Sequence, residues 1–341
     1  MTADQHPAVS VITPAYNVAR YVAEAAGSVL RQTYSRFEYL VVDDQSADDT
    51  MQVVKETAGG DPRLTIVPGP HRGVSAARNA GIAAARGRYL AFLDGDDRWH
   101  PRFLERQLGL IESLPPRVGG VFCRSRMILE NGTPVFWQWS RPGRYDLDDL
   151  LAASNPARNG SSLLIRASCF ADVGGFDESI SQVEDLEMWL RIAAASATPA
   201  WWASRHVLTD LRLRPGSLTR DRGRSEAALD ALLAQWVPRM RRLPPGLAYV
   251  RPAIAALKYG DDPELAQRWA DRARSAGLPQ LARTASGLRM LGWSALPPPR
   301  RAALRAAQGR AREAVKAAEP RLRQLAQRAT APVSGRARPY P

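Results

Sequence analysis

Residues 73–97 read GVSAARNAGIAAARGRYLAFLDGDD, and this stretch decides the fold. The pattern predicts a helix over residues 74–85 and a buried strand over residues 89–93, with Gly73 permitting a close approach of the backbone before the helix. The strand ends on the acidic turn DGDD at residues 94–97. A helix that leads into a buried strand is typical of a βαβ unit. The stretch therefore predicts a largely parallel α/β sheet with carboxylates at one strand end.

The same alternation of short apolar runs and helical patterns extends to both sides of this stretch. It predicts strands at residues 9–13, 39–42 and 64–67, and helices at residues 19–32, 50–57 and 102–114. Pro14 is expected to end the first strand, because proline has no backbone N–H for the ladder. The first half of the chain is thus interpreted as consecutive βαβ units.

Beyond residue 118 the pattern becomes more antiparallel, and Asn131-Gly132 is a strong two-residue hairpin signal. Further elements are predicted as strands at residues 119–123, 127–129, 135–137, 162–165 and 206–213 and a helix at residues 183–195. The predicted fold class is α/β: a Rossmann-type mixed, mostly parallel sheet flanked by helices, with a C-terminal all-helical extension. The predicted domains are residues 1–220, a helical region over residues 221–330 and a flexible tail over residues 331–341.

Composition places the chain among ordinary folded proteins. Apolar residues make up 45% and charged residues 24% of the 341 positions, which is average for soluble globular domains. The sequence has no apolar run long enough to span a bilayer and no secretory signal pattern, so we expect a cytoplasmic location. The two cysteines, Cys123 and Cys169, are too few for a metal cluster or a disulfide framework.

The basic charge is concentrated at the C-terminus. The formal net charge is +13, and the segment from Arg283 onward carries 13 basic side chains against two acidic ones, a net charge of +11. Such a segment is expected to hold the protein at an anionic membrane surface, which would make it peripheral at the inner face of the cell membrane. A solvated helix packed on the first domain and a partner-binding arm are equally open interpretations.

Acidic residues follow two of the predicted parallel strands. Asp43 and Asp44 end the second strand, and the DGDD turn ends the fourth. Ligands of open α/β sheets bind outside the carboxyl ends of the strands, so the two groups are expected to face one crevice. A carboxylate-rich turn suits Mg²⁺ or Mn²⁺ held together with substrate phosphates. The alternative is a solvated turn, since Asp and Gly are common turn formers.

Four segments together resemble a known family. These are VSVITPAYN, VVDDQSADDT, GVSAARNAGIAAARGRYLAFLDGDD and VGGFDESISQVEDLEMWLRIA, in that order and spacing over roughly the first 215 residues. They are similar to the inverting family-two glycosyltransferases of GT-A fold. The resemblance implies transfer of a sugar from a nucleotide-diphosphate sugar donor to a glycan or lipid-linked acceptor, in cell-surface polysaccharide or glycolipid biosynthesis. It also implies a divalent cation, Mn²⁺ or Mg²⁺.

The resemblance assigns the donor site by position. It implies that the loop after the first strand lines the nucleobase site, that one acid of the second strand end contacts the base, that one arginine lies near the nucleotide, and that the DxD acids meet the diphosphate. In this sequence these residues are Pro14, Ala15 and Tyr16 for the loop, Asp44 for the base, Arg78 for the nucleotide, and Asp94, Asp96 and Asp97 for the acids. Asp96 is implied as the metal ligand, and Asp97 as a ribose or metal contact.

The catalytic base is implied at Asp185. The pair Glu184-Asp185 matches the acidic pair of the family, whose Asp is the general base that an inverting transfer requires. Without the resemblance, two acids at a helix N-terminus favoured by the helix dipole explain the pair equally well. Arg214 departs from the family pattern, because relatives often carry histidine there. A guanidinium cannot ligate a cation, but it can contact a phosphate. Arg214, and also Glu184 of the acidic pair, are therefore expected as acceptor or phosphate contacts.

Competing functions make different demands on the sequence. A nucleotidyltransferase would be expected to carry a glycine-rich loop with a basic residue after the first strand, whereas this chain has Pro-Ala-Tyr-Asn there. A dehydrogenase and a P-loop enzyme are disfavoured because neither GxGxxG nor GxxxxGK[ST] occurs. A membrane- or nucleic-acid-binding protein acting through its basic tail would leave the acidic strand ends unexplained, so no nucleic-acid partner is expected.

Overall fold

The computed structural model describes residues 6–138, 140–153, 156–157, 159–195, 200–214, 222–255 and 263–277. The strands are β1 (Val9–Ala15), β2 (Phe37–Asp43), β3 (Leu64–Pro68), β4 (Tyr89–Phe92), β5 (Arg98–Trp99), β6 (Val118–Leu129), β7 (Pro134–Gln138), β8 (Gly143–Tyr145), β9 (Leu163–Arg166) and β10 (Ala200–Leu213). The helices are α1 (Ala19–Leu30), α2 (Thr50–Ala58), α3 (Val74–Ala84), α4 (Phe103–Glu112), α5 (Leu147–Ala153), α6 (Ala167–Val173), α7 (Glu184–Ala194), α8 (Arg222–Trp236), α9 (Leu247–Ala255) and α10 (Pro263–Ser275). Short 3₁₀ helices cover Gly160–Ser162 and Val237–Arg239.

These strands form one mixed sheet, which confirms the predicted α/β class. The strand order is β3-β2-β1-β4-β9-β6-β10-β5, with β7 added beside β6 and β8 beside β10. The first four strands in this order pair in parallel, and β6 pairs in parallel with β10. The remaining pairs are antiparallel. The parallel half is built from the βαβ units that the first half of the sequence predicts.

The strand β1 lies between β2 and β4 and is buried in the core. Val9, Val11 and Ile12 are fully buried, and so are the polar side chains of Ser10 and Thr13. Burial on both faces is typical of a central parallel strand covered by helices. The buried face of α1 and much of α4 join β1 in the same apolar cluster.

The prediction that Pro14 ends the first strand is wrong. β1 continues to Ala15, and Pro14 pairs in register with Val42 of β2. The neighbour β4 pairs with β1 only as far as Ile12, whose carbonyl accepts the N–H of Leu93. The backbone groups of Pro14 point toward the same neighbouring strand as those of Ile12, which is β4. Because β4 has already ended at this level, the missing N–H of Pro14 costs no ladder hydrogen bond. A proline is tolerated at such an unpaired edge.

The predicted break between residues 119–123 and 127–129 is also absent, because β6 is one continuous strand. Its polar middle is held by the neighbouring strand: the guanidinium of Arg126 donates to both carboxylate oxygens of Asp210 in β10, at 2.6 and 2.7 Å. The antiparallel pairing of β6 with β7 confirms a hairpin at Asn131-Gly132, but its loop has three residues, 130–132, because the N–H of Leu129 donates to the carbonyl of Thr133. Within this loop only Gly132 has a positive φ, of +81°, as is typical of a three-residue hairpin loop that ends on a left-handed residue.

The chain divides into two compact units, residues 1–252 with 272–278, and residues 253–271 with 279–341. The described helix α8 therefore belongs to the same unit as the sheet. The predicted boundary at residue 220 stays a prediction, since residues 215–221 lie outside the described residues, as do the basic segment from Arg283 and the predicted tail. Among the described helices, none combines the length and the apolar composition that a membrane span requires.

A buried carboxylate joins α5 to the chain after α8. Asp148 accepts backbone N–H groups from Arg241, Arg242 and Leu243, at distances of 2.6 to 3.2 Å. The guanidinium of Arg242 pairs in turn with Asp146, next to the start of α5. Three donors satisfy a carboxylate that is only 5% exposed, so the segment from Arg241 to Leu243 is fixed to the unit that contains the sheet.

Candidate active site

The predicted site residues of the parallel half lie at one edge of the sheet. β1 ends at Ala15, between the end of β2 at Asp43 and the end of β4 at Phe92. The carbonyl of Ala15 accepts the N–H of Asp44, at 2.9 Å. The two acidic strand ends are therefore neighbours of the same short loop after β1, as the sequence predicts.

The side chain of Asp44 organises the loop before α3. It is 5% exposed and accepts the backbone N–H of His71 at 2.6 Å and that of Gly73 at 3.0 Å. His71 and Gly73 both have positive φ, of 56° and 91°. Gly69 must be small here, because a Cβ would lie 2.8 Å from the Asp44 Cα. Asp44 thus holds in place the loop that leads to the helix of Arg78.

Tyr16 supplies an aromatic surface beside this loop. Its side chain is 51% exposed, and its ring centroid lies 5.5 Å from that of His71 at a tilt of 60°. The next residue, Asn17, has a φ of 51° and accepts the N–H of Ala47. An exposed aromatic ring on a backbone fixed by such contacts is suited to stacking against a flat ligand.

The acidic turn after β4 is held in a fixed conformation. The N–H of Asp97 donates to the carbonyl of Asp94 at 3.0 Å, and the N–H of Asp94 donates to Ser161 Oγ at 3.0 Å. Gly95 passes close to α1, where a Cβ would meet Val18 Cγ2 at 2.9 Å. The glycine between the acids is therefore required by this close approach.

Asp97 is the buried member of the turn. One carboxylate oxygen accepts Ser161 Oγ at 2.7 Å and Asn159 Nδ2 at 3.0 Å, and the other accepts the backbone N–H of Arg212 at 2.9 Å. Burial and then repulsion from Asp96 raise the pKa of Asp97 well above its ordinary value. Its described contacts tie the turn to the 3₁₀ helix and to β10.

Arg78 connects the acidic turn with the acids of α7. Its guanidinium is 3% exposed and donates to Asp94 Oδ1 through Nη2 and to Glu184 Oε1 through Nη1, both at 2.8 Å. Burial alone would lower the pKa of Arg78, but the attraction of the two carboxylates and the hydrogen bonds to them raise it. Because this cation is fully charged and fixed, it sets the distance between the two acidic groups.

Asp185 lies at the start of α7, and the pKa of its carboxyl is close to neutral pH. Burial, followed by repulsion from Glu184, raises the pKa of Asp185 to about 7, while the positive charge of Arg78 opposes the rise. Val183, the residue before the helix, has a φ of 58°. A β-branched residue seldom adopts this conformation, which costs about 1–3 kcal/mol and must be held by its surroundings. Such strain clusters at functional sites.

Asp96 faces a different arginine. Its carboxylate Oδ2 accepts Nε of Arg214, which follows directly after β10. The guanidinium carbon of Arg214 lies 5.9 Å from the ring centroid of Tyr21, and that of Arg212 lies 5.4 Å from the same ring. Burial and the charge of Asp94 raise the pKa of Asp96, whereas Arg214 lowers it.

Three residues of the site escaped the sequence analysis. Ser161 and Asn159 hold Asp97, and Arg212 donates through Nε to the carbonyl of Asp96 at 2.9 Å and through Nη2 to Glu24 at 2.9 Å. The Arg212 side chain is fully buried. Its only sequence signal is its position two residues before Arg214, which does not separate it from any other arginine of the chain.

The donor chemistry of the turn fits a cation that binds together with a ligand. Among the described residues, no group of three or more His, Cys, Asp or Glu side chains is arranged to hold a metal ion. Asp94 and Asp96 are each paired with one arginine, yet the pKa of Asp96 stays raised. Mg²⁺ is commonly bound through one or two carboxylates and the phosphates of a substrate, which is all that this turn provides.

The fold is a mixed α/β sheet flanked by helices, of GT-A type, and it resembles the folds of solved structures. The mannosyltransferase PcManGT from Pyrobaculum calidifontis, in complex with GDP-Man and Mn²⁺, aligns with a TM-score of 0.58 and 22% identity over 90% of this chain and 80% of its own. TarS from S. aureus in complex with UDP-GlcNAc aligns with a TM-score of 0.56 and 17% identity over 81% of this chain and 75% of its own.

Sequence relatives point to one family. Residues 10–174 match the model of glycosyl transferase family 2. A glycosyltransferase of Rickettsia prowazekii (strain Madrid E) is 30% identical over 194 residues, 56% of this chain and 60% of the relative. The putative teichuronic acid biosynthesis glycosyltransferase TuaG of Bacillus subtilis (strain 168) is 35% identical over 146 residues, 42% of this chain and 57% of TuaG. The chondroitin synthase of Pasteurella multocida (strain Pm70) is 31% identical over 190 residues, 55% of this chain and 19% of the synthase.

The match to the glycosyl transferase family 2 model covers slightly less than half of the chain. The chain spans less than two thirds of the length of the relatives described above.

Proposed function

We propose that the protein is an inverting glycosyltransferase, which moves a sugar from a nucleotide-diphosphate sugar to an acceptor hydroxyl. One observation carries the proposal: the buried carboxyl of Asp185, with a pKa of about 7, is linked through Glu184 and Arg78 to the acidic turn at Asp94. An inverting transfer needs both parts side by side, a base for the acceptor and a charged site for the leaving diphosphate.

The donor occupies the edge formed by β1, β2 and β4. Its base stacks on the loop Pro14-Ala15-Tyr16, supported by the exposure of the Tyr16 ring, and Asp44 fixes the neighbouring loop. Asp97 and Arg78 are both buried, and their contacts fix the shape of the donor site. The GDP-Man and UDP-GlcNAc found in the two structural neighbours support a nucleotide-sugar donor of this kind.

Asp96 holds a divalent cation, Mn²⁺ or Mg²⁺, together with the diphosphate. The bound cation supplies positive charge that offsets the negative charge of the leaving group. Asp94 is kept in place by Arg78 and by the Ser161 hydroxyl, so the turn keeps its shape when the ligand binds. The Mn²⁺ in the PcManGT complex supports a cation of this type.

Asp185 accepts the proton of the acceptor hydroxyl. As the hydroxyl oxygen forms its bond to the anomeric carbon, the bond from that carbon to the diphosphate breaks on the opposite face, and the proton moves to the Asp185 carboxylate. The electron pair leaves with the diphosphate. A base whose pKa is near 7 is well matched to this step, because a large fraction is ionised at neutral pH.

The acceptor class is a glycan or lipid-linked acceptor of cell-surface polysaccharide or glycolipid biosynthesis. The names of two relatives, a teichuronic acid biosynthesis glycosyltransferase and a chondroitin synthase, support this class.

A nucleotide-sugar screen tests the proposed function. The full chain is incubated with UDP-, GDP- and dTDP-sugars, with and without Mn²⁺, and nucleoside diphosphate release is measured. We expect one donor to be consumed in the presence of Mn²⁺, at a rate that an acceptor increases. A nucleotidyltransferase would instead release pyrophosphate from a nucleoside triphosphate and a sugar phosphate. A second set of reactions therefore contains nucleoside triphosphates and sugar phosphates, and pyrophosphate release there, without consumption of any nucleotide sugar in the first set, would refute the proposal.

The basic segment from Arg283 is proposed to bring the enzyme to its acceptor at an anionic membrane. Each Lys or Arg near such a surface contributes about 1 kcal/mol, so a net charge of +11 is sufficient for reversible attachment. We expect the full chain to co-sediment with anionic liposomes at low salt, and a chain ending at Ala282 to remain in solution. Equal sedimentation of both chains, or binding that salt does not weaken, would contradict the membrane role.

A further inference from the structure

We propose that Arg214 forms an ion pair with Asp96 in the ligand-free protein. When the donor binds with its cation, Arg214 leaves Asp96 and contacts the donor diphosphate instead. Arg214 is thus a diphosphate-binding residue that also keeps the cation from binding alone. The inference rests on the proposed function, because the exchange presupposes a diphosphate ligand. It assigns to Arg214 a role that the neighbouring Arg212 cannot have.

The two arginines at the end of β10 differ in their freedom to move. Arg212 is fully buried, and its guanidinium is fixed by Glu24 and by the carbonyl of Asp96. The Arg214 side chain is 29% exposed, and among the described residues its only hydrogen bond runs from Nε to Asp96 Oδ2. The Tyr21 ring lies 5.9 Å from the Arg214 guanidinium carbon. Arg214 is therefore the arginine that is able to change partners.

Among the described residues, none is hydrogen-bonded to the phosphate-binding fork of Arg214, which is formed by Nη1 and Nη2. Nε contacts Asp96, whereas Nη1 and Nη2 make no hydrogen bond to any described residue. Two parallel N–H groups are the arrangement that a guanidinium uses for bidentate phosphate contacts. A diphosphate near Asp96 thus meets two donors on the same side chain.

The ion pair between Arg214 and Asp96 also disfavours binding of a cation when no diphosphate is present. A divalent ion at Asp96 would lie beside the positive charge of Arg214, and like charges at this range repel strongly in a partly buried site. Asp96 is 15% exposed, so water screens little of this repulsion. Once a diphosphate is present, its negative charge attracts both the ion and the guanidinium, and Asp96 is released to the ion. Cation and nucleotide should therefore bind together, each raising the affinity of the other.

The test measures two affinities in the Arg214→Gln variant. Binding of Mn²⁺ alone is followed by electron paramagnetic resonance, and binding of UDP and GDP with Mn²⁺ by calorimetry. We expect Mn²⁺ alone to bind about tenfold more tightly than in the wild type, because a competing charge-assisted contact is gone, and the better of the two nucleotides to bind about tenfold more weakly. A simple loss of structure would weaken both.

Arg20→Gln is the matched control. Arg20 lies 5.5 Å from the Tyr21 ring centroid and pairs with Glu130, so the variant removes the same charge nearby without touching Asp96. Both affinities should match the wild type. Arg214→Lys, which keeps the charge but not the planar fork, should bind Mn²⁺ alone as weakly as the wild type and still lose nucleotide affinity. Thermal melting of each variant checks the fold.

Unchanged or weaker binding of Mn²⁺ alone in Arg214→Gln would overturn the exchange, and so would unchanged nucleotide affinity or equal effects in Arg20→Gln. A wild type that binds neither nucleotide would overturn it together with the donor assignment. If the affinities change in the expected directions but no sugar is transferred, the exchange stands and the proposed function fails. The two failures are therefore distinguishable.

Discussion

Asp185→Asn is expected to lower kcat by at least about 10²-fold, the low end for a positioned general base, while the affinity for the donor changes little. The amide keeps the size of the side chain but cannot accept the acceptor proton. Steady-state kinetics with the donor identified by the screen gives kcat, and calorimetry gives donor affinity. A variant that loses donor affinity but keeps its turnover at saturation would identify Asp185 as a binding residue.

The pH dependence makes this prediction sharper. Asp185 acts as a base only when ionised, so kcat should rise with pH through about 7 in the wild type and lose this limb in Asp185→Asn. Glu184→Gln removes a negative neighbour that raises the Asp185 pKa, so its limb should move to lower pH. Asp172→Asn, at an exposed carboxylate on α6, is the control and should leave the profile unchanged.

The second large effect is expected for Asp96→Asn. Removing one negative charge should abolish most Mn²⁺-supported binding of the nucleoside diphosphate and lower turnover by at least about 10²-fold, because a cation at the leaving group contributes several kcal/mol. The fold should survive, since the Asp96 side chain makes its described hydrogen bond to the partly exposed Arg214. Calorimetry with and without Mn²⁺ measures the binding, and kinetics measures the turnover.

Asp49→Asn provides a control for the charge change. Asp49 precedes α2, is exposed and makes no capping hydrogen bond through its side chain. Its substitution should alter neither Mn²⁺ dependence nor turnover. An Asp96→Asn variant that binds nucleotide with the same affinity and turns over at the wild-type rate would remove Asp96 from the cation site.

The position of the acids could be predicted because it follows from local pattern. Each acid pair directly follows an apolar, β-branched run, and parallel strands end at one edge, so Asp44 and Asp94 had to be neighbours of the loop after β1. The start of α7 at Glu184 follows from its amphipathic pattern in the same way. These predictions needed only the spacing of the residues and the direction of the strands.

The partners of these acids could not be predicted, because they are set by contacts between distant parts of the chain. Arg78 reaches Glu184, 106 residues away, and Arg212 reaches the carbonyl of Asp96, 116 residues away. The chain contains many arginines with similar local surroundings, so nothing in the spacing distinguishes these two. The continuation of β1 through Pro14 was missed for a related reason, since it depends on where the neighbouring β4 stops pairing.

The contact of Asp148 with Arg241, Arg242 and Leu243 shows that the folded unit extends beyond the segment that matches the family model. The family match ends at residue 174, whereas the three N–H donors lie 93 to 95 residues beyond the carboxylate that they satisfy. A chimera joined at the end of the match would keep the acid and exchange its donors, and an unsatisfied buried group costs about 1–3 kcal/mol, more for a charged one. We therefore expect such a chimera to be less stable than this chain unless its new C-terminal region places three N–H groups at the same carboxylate.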